Sequence, residues 1–241
     1  MNLKFFRLLS VSRDAKTVKG EKEGVLTAIL YMAPSDQSGV INVCPHASPG
    51  CRAACLFSAG RGRFANVIQA RTARTLSFAS DRAHFLKTLE GELRVFEAIA
   101  AAQGLRPAVR LNGTSDLPYE KWGIFPKFPG IAFYDYTKSR ARFARFLNGE
   151  MPENYSLTFS RSETNGKYAD AFLKAGGNVA IVFAGKTLPT SYNGKPVVNG
   201  DENDLRFRDK RGVVVGLLAK GRAIRDETGF AVQVPESGVV G

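Results

Sequence analysis

Short apolar, β-prone blocks alternate along the chain with longer stretches of helical spacing. Val25–Met32 (VLTAILYM) reads as a strand, since continuous apolar runs of this length suit a strand buried on both faces. Phe64–Ala102 reads as a long helical stretch broken near Ala79–Arg82. There Ser80 is placed to cap a second helix, with Asp81 in its first turn. Gly104 is placed to end that helix, and Pro107 blocks its continuation. Ala108–Leu111 (AVRL) is a second strand that runs into Asn112-Gly113-Thr114-Ser115-Asp116, and Pro118–Trp122 starts a short helix. Ile131–Thr137 is a strand followed by a basic helix, Lys138–Leu147. Tyr155–Ser160 alternates like a strand, Tyr168–Ala175 is a short helix ended by Gly176-Gly177, and Asn178–Ala184 and Gly212–Leu218 are apolar strands.

Strands separated by helices imply parallel β/α units. The pattern predicts one α/β domain over residues 1–241, with about six mostly parallel strands. A partial (β/α) barrel is the architecture expected, with an open doubly wound sheet as its rival. In both, chemistry gathers at the C-terminal ends of the strands. Those ends hold the loop after Met32, the Asn112–Asp116 turn, Thr137-Lys138 and Ser160–Glu163. Neither an internal repeat nor a low-complexity linker divides the chain.

Hydrophobic residues make up 44% of the sequence, enough for a sizeable core without staples. No apolar run reaches the roughly eighteen residues that a spanning helix needs. The N-terminal MNLKFFRLLSVSRDAK has a short apolar run and no small-residue cleavage site, so it reads as mature protein, with a first strand in it. These features point to the cytoplasm and away from a membrane. Lys and Arg number 34 against 22 Asp and Glu, a net charge of +12. Such a surplus favours DNA, RNA or a phosphorylated substrate as partner.

The most informative segment is VCPHASPGCRAACLFSAGRGR, with the spacing Cys44-x6-Cys51-x3-Cys55. It holds all three cysteines of the chain. An odd, clustered set suits a metal or redox centre better than disulfides. Pro45, Pro49 and Gly50 fix turns, and Cys51 and Cys55 would share a face at the start of a helix. Three thiolates can hold an iron–sulfur cluster and leave one iron open. Zinc is the competing metal, with His46 as a fourth ligand. Buried thiols packed as small hydrophobes are the third option.

The runs NVCPHASPGCRAACL, AVRLNGTSD, FYDYTKS and YSLTFSRSE resemble an uncharacterised family of phage- and plasmid-encoded proteins, over about Leu26 to Phe230. This resemblance implies a mobile-element origin and, for a phage protein, the host cytoplasm. A more distant likeness is architectural. Radical S-adenosylmethionine (SAM) enzymes carry three cysteines in the loop after the first strand of a partial (β/α) barrel. That likeness implies a four-iron, 4Fe-4S cluster on Cys44, Cys51 and Cys55, with SAM on the open iron. It also aligns Asn112–Asp116 with the motif that holds the SAM amino group. The cysteine spacing here is longer than in that family, and no GGE-like triplet is present.

The candidate catalytic residues are Asn112, Asp116, Tyr136, Lys138 and Glu163, and the candidate cofactor-binding residues are Ser115, Ser160 and Ser162. Ser115 and Asp116 could equally cap the next helix, and Glu163 could enter a helix's first turn. Alternation sends Tyr134 and Tyr136 to one face of their strand and Phe133 and Asp135 to the other. A tyrosine strand-transfer enzyme would need a paired metal-binding His set, and the only histidines, His46 and His84, lie far apart in sequence. Arg61, Arg63, Arg71, Arg74, Arg140, Arg142, Arg145, Arg206, Arg208, Lys210 and Arg211 are candidates for phosphate contact. The expected function is that of an iron–sulfur protein, a radical-SAM-like enzyme acting on a nucleotide or nucleic acid. The alternative is a non-catalytic nucleic-acid-binding protein with a structural cluster or zinc.

Overall fold

A computed structural model describes residues 7–11, 15–55, 57, 60–235 and 238–240. Strand β1 (Leu9–Val11) and helix α1 (Ala15–Lys22) precede β2 (Val25–Leu30). The cysteine loop, with its short helix α2 (Pro49–Ala53), leads into α3 (Ala65–Ser80), α4 (Arg82–Ala102) and β3 (Arg106–Arg110). Then come β4 (Ala132–Thr137), α5 (Arg140–Leu147), β5 (Tyr155–Ser160), α6 (Gly166–Lys174) and β6 (Val179–Ala184). The remainder carries β7 (Ser191–Tyr192), β8 (Lys195–Asn199), β9 (Val214–Leu218), β10 (Val232–Gln233) and β11 (Val239–Val240).

Among the described residues these strands form one open, mostly parallel sheet of eleven, in the order β1-β2-β3-β4-β5-β6-β9-β8-β7-β11, with β10 beside β6. The run from β2 to β6 and on to β9 is parallel throughout and follows chain order. It is the expected β/α succession. The antiparallel β1 and the short strands β7, β8, β10 and β11 enlarge the sheet beyond the six strands expected. The two-residue strands β7, β10 and β11 carry too little periodicity to be read from sequence.

Chain-order parallel strands with right-handed crossovers put the helices on one face of a sheet. The core shows this. Leu26, Ala28 and Leu30 of β2 pack in one cluster with Phe85, Leu89, Leu93 and Phe96 of α4. Alternate residues turn the other way, so Val25, Ala108, Ala132 and Tyr134 pack in a separate cluster with Leu205 and Phe207. A 3-10 helix, Arg206–Arg208, lies against β4 and β5 on that face. Tyr134 and Phe133 thus part as alternation predicts.

Several boundaries differ from the sequence reading. β2 stops at Leu30 and β3 starts at Arg106, so Pro107 sits inside a strand instead of merely stopping a helix. The break in the long helix is at Asp81, whose carboxylate accepts from His84 N, while Ser80 closes α3 and donates to Ser77 O. The aspartate outcompetes serine here because it accepts with a full charge at a helix N-terminus. α5 starts at Arg140 behind a Ser139 cap, and α6 starts at Gly166, ahead of the predicted Tyr168.

Candidate functional site

The cysteine loop sits beyond the C-terminal end of β2 and is tied down from two sides. On one side, Gly113 N donates to Leu30 O (3.0 Å), Thr114 Oγ1 to Met32 O (2.6 Å) and Asp116 N to Val43 O (2.8 Å). Gly113 is required for this approach, since a Cβ there would lie 2.6 Å from Ile29 and Tyr31. On the other side, Glu163 beyond β5 accepts from Ser48 Oγ (2.7 Å) and Gly50 N (2.7 Å). Ser48 is also the cap of α2 and accepts from Cys51 N (3.2 Å). A Cβ on Gly50 would meet Thr228 Oγ1 and come within 2.8 Å of the Glu163 carboxylate.

Helix α2 is shorter than the sequence suggests. Cys51 lies in it, but Cys55 follows its end, with Cys55 N donating to Arg52 O at 3.4 Å. All three thiols are free and partly buried. Cys44 packs on the main core, accepts from Ser35 N (3.3 Å) and donates to Thr114 O (3.5 Å). Cys51 packs beside Ala54, Ala223 and Phe230. Burial pushes the Cys44 thiol up to about 12, against the Ser35 N–H; neighbouring Cys55, Asp116 and Cys51 push the same way. Burial also raises the Cys55 thiol, opposed by the Phe57 N–H, while Cys51 raises it and the cations Lys138 and Arg71 lower it. The three sulfurs therefore sense one another, with a lysine and an arginine close by.

Among the described residues, no group of three or more His, Cys, Asp and Glu side chains is gathered as a single-ion site. His46 is exposed. Protonated thiols must lose their protons on loading, so binding a metal centre releases protons.

The polar residues after β3 have internal partners. Asn112 is buried; its amide nitrogen donates to Leu117 O (3.0 Å) and Asp135 Oδ2 (3.0 Å), and its oxygen accepts from Ser115 Oγ and Leu117 N (both 2.8 Å). Asp116 accepts from Thr137 Oγ1 (2.7 Å), Lys138 N (2.9 Å) and Arg142 Nη1 (2.6 Å). Arg142 forks onto Glu120 with two bonds of 2.9 Å and donates to Tyr155 OH (3.0 Å). Tyr155 OH donates to Asp135 Oδ2 (3.3 Å), which closes the network. Asp135 also takes Asn112 N (2.7 Å), yet burial pushes its carboxyl up to about 7. Asn112, Ser115 and Asp116 are thus positioning residues that bind the ends of β3 and β4 together.

The remaining candidates lie in and after β4 and β5. Lys138 Nζ donates to Ser160 Oγ (2.6 Å) and lies 5.6 Å from the Phe230 ring centre. Arg161 beside Ser160 donates to Gly229 O and Phe230 O. Tyr136 lies under the Arg110 guanidinium, 4.5 Å from its ring centre, and Arg110 pairs with Asp204 at 3.2 Å. Ser162 is buried and faces Thr164, with its backbone N donating to Asn165 Oδ1. Glu163 precedes α6 instead of entering its first turn, because its carboxylate is spent on Ser48 and Gly50.

Several of the basic residues have partners within the chain. Arg142 is buried among carboxylates, Arg206 pairs with Asp209, Arg208 with Glu23 and Arg145 with Glu150. Arg140 stacks on Tyr168 at 4.2 Å. Sequence reasoning named Gly50 only as a turn and gave Thr114 no role of its own, and it missed Glu120; the tight Pro49-Gly50 and Asn112-Gly113 pairs were the only hints of close approaches.

No described helix is long and apolar enough to cross a membrane. No curated protein and no solved structure matches the chain, so the comparisons lend the radical SAM likeness no support. A family model described as Gene product 88 matches residues 7–234, in keeping with the phage-type family that the motifs resemble, and the chain belongs to that gene product 88 family.

Proposed function

We propose that this protein binds an iron–sulfur cluster through Cys44, Cys51 and Cys55, at the mouth of a radical-SAM-like partial (β/α) barrel, and acts on a nucleotide or nucleic acid. The observation that supports this most is placement: three free thiols lie in one loop beyond β2, and that loop is clamped by hydrogen bonds from the turns after β3 and β5, at the C-terminal ends of parallel strands. Bound there, a four-iron cluster supplies one-electron chemistry and an iron open to SAM or substrate. The chain's own residues do the positioning. Glu163 holds the loop through Ser48 and Gly50. Lys138, oriented by Ser160, offers an ammonium beside Cys55 for an anionic substrate group. Tyr136, in β4, lies under Arg110.

A second reading is a non-catalytic nucleic-acid-binding protein whose cluster or zinc only fixes the loop. The internal hydrogen bonds of Asn112, Ser115 and Asp116 favour it, since these side chains are already engaged within the chain. Anaerobically purified, chemically reduced protein incubated with SAM separates the two. Reductive cleavage of SAM that is lost in Cys51→Ala supports the enzyme. Iron without cleavage supports the second reading, and zinc without iron removes the cluster from both.

A further inference from the structure

Beside the cysteine loop runs a groove of about 680 Å³, lined by Phe57, Arg63, Ile68, Arg222, Ile224 and Arg225. Its floor is apolar and open, with Ile224 66% and Ile68 39% exposed. Its rim is cationic, because Arg63, Arg222 and Arg225 make no ion pair with a described carboxylate. The nearest carboxylate in sequence, Asp226, is engaged with Thr228 and Ala231. The groove adjoins the thiols, since the Phe57 N–H hydrogen-bonds Cys55.

We infer that this groove is a docking track for single-stranded nucleic acid. The charge complementarity is direct: unpaired guanidiniums suit phosphates, and an open apolar floor suits unstacked base faces. A duplex hides those faces and would use only the rim. A purely anionic protein segment would match the rim but would leave the apolar floor uncovered. The inference deepens the proposed function by naming the substrate surface, and it rests on that reading only for what happens to the bound strand.

The test is fluorescence anisotropy of the full-length protein with a labelled oligothymidylate of about 16 nucleotides, the long end of ordinary site sizes. Iron per chain is measured on the same preparations. Arg222→Glu with Arg225→Glu should weaken binding at least about tenfold and flatten the slope of log affinity against log salt by about 1.4. Iron content should not change. Lys22→Glu with Lys174→Glu, exposed residues on α1 and α6, removes the same charge elsewhere and should leave the affinity within about twofold. Ile224→Ser should weaken the oligothymidylate more than a duplex of equal length. Equal losses from both charge-reversal pairs would overturn the docking track, as would an unchanged affinity in the Arg222/Arg225 variant. Arginine-dependent capture of oligoglutamate without oligothymidylate binding would overturn it too. Arginine-dependent strand binding by a protein free of iron would leave the track standing and sink the cluster instead.

Discussion

Replacing Glu163 by alanine tests how the cysteine loop is held. The side chain makes two charge-assisted hydrogen bonds of 2.7 Å, to Ser48 Oγ and Gly50 N. Bonds of this class contribute about 1.5–3 kcal/mol each when shielded. Glu163 is only partly buried, so solvent and side-chain entropy remove a good share of that. A net loss of about 3 kcal/mol is expected, which raises the opening equilibrium of the loop about 100-fold. The rest of the sheet makes no use of this carboxylate and should keep its stability. Hydrogen exchange read by mass spectrometry resolves the two. Amides of residues 48–55 should exchange about 100-fold faster in Glu163→Ala, with β4 and β5 unchanged. Glu163→Gln keeps one acceptor oxygen and should fall between. Unchanged protection of the loop in Glu163→Ala would refute the clamp, and so would uniform loss of protection across the sheet.

Three further outcomes follow from buried charges. Asp135 has its carboxyl moved from 3.8 to about 7 by burial, so the folded state binds more protons than the unfolded chain between those values. Stability should therefore fall as pH rises from about 4 to about 7 and level off above; urea titrations of Asp135→Asn should lose this dependence, and identical slopes would contradict it. Glu92, buried in α4, accepts from Arg7 N, Leu8 N and Leu9 N at 2.8–3.2 Å. Glu92→Leu leaves these donors bare and should destabilise by about 3 kcal/mol, with faster exchange at residues 7–9; protection equal to wild type would count against this anchor. Arg142→Met strands Glu120 and Asp116, whose side chains are 3% and 10% exposed. A loss of about 3–5 kcal/mol in denaturant unfolding is expected, and a change under about 0.5 kcal/mol would show that the network carries no stability.

The parallel strands were legible because each is a short apolar run between turn residues, separated from the next by a helical stretch. β7, β8, β10 and β11 were not, since their pairing depends on distant backbone and not on local pattern. The cysteine loop announced itself through clustering. What holds it did not: Glu163 meets Ser48 across 115 positions, and no local signal marks such a partner. Asn112-Gly113-Thr114-Ser115-Asp116 looked like a ligand motif because turn residues and site residues share the same chemistry. The structure turns most of those groups inward. Arg142 hid among the arginines of a basic helix, although its neighbours Glu120 and Asp116 make it a core residue.

The central claim is that Cys44, Cys51 and Cys55 share one iron–sulfur centre. Anaerobic purification followed by iron, sulfide and zinc analysis with a visible spectrum addresses it directly. The account predicts up to about four irons per chain and broad absorbance near about 400 nm, both abolished when any one of the three cysteines becomes alanine. Stoichiometric zinc without that absorbance, or thiols that all react freely with an alkylating reagent in metal-free protein as isolated, would contradict it.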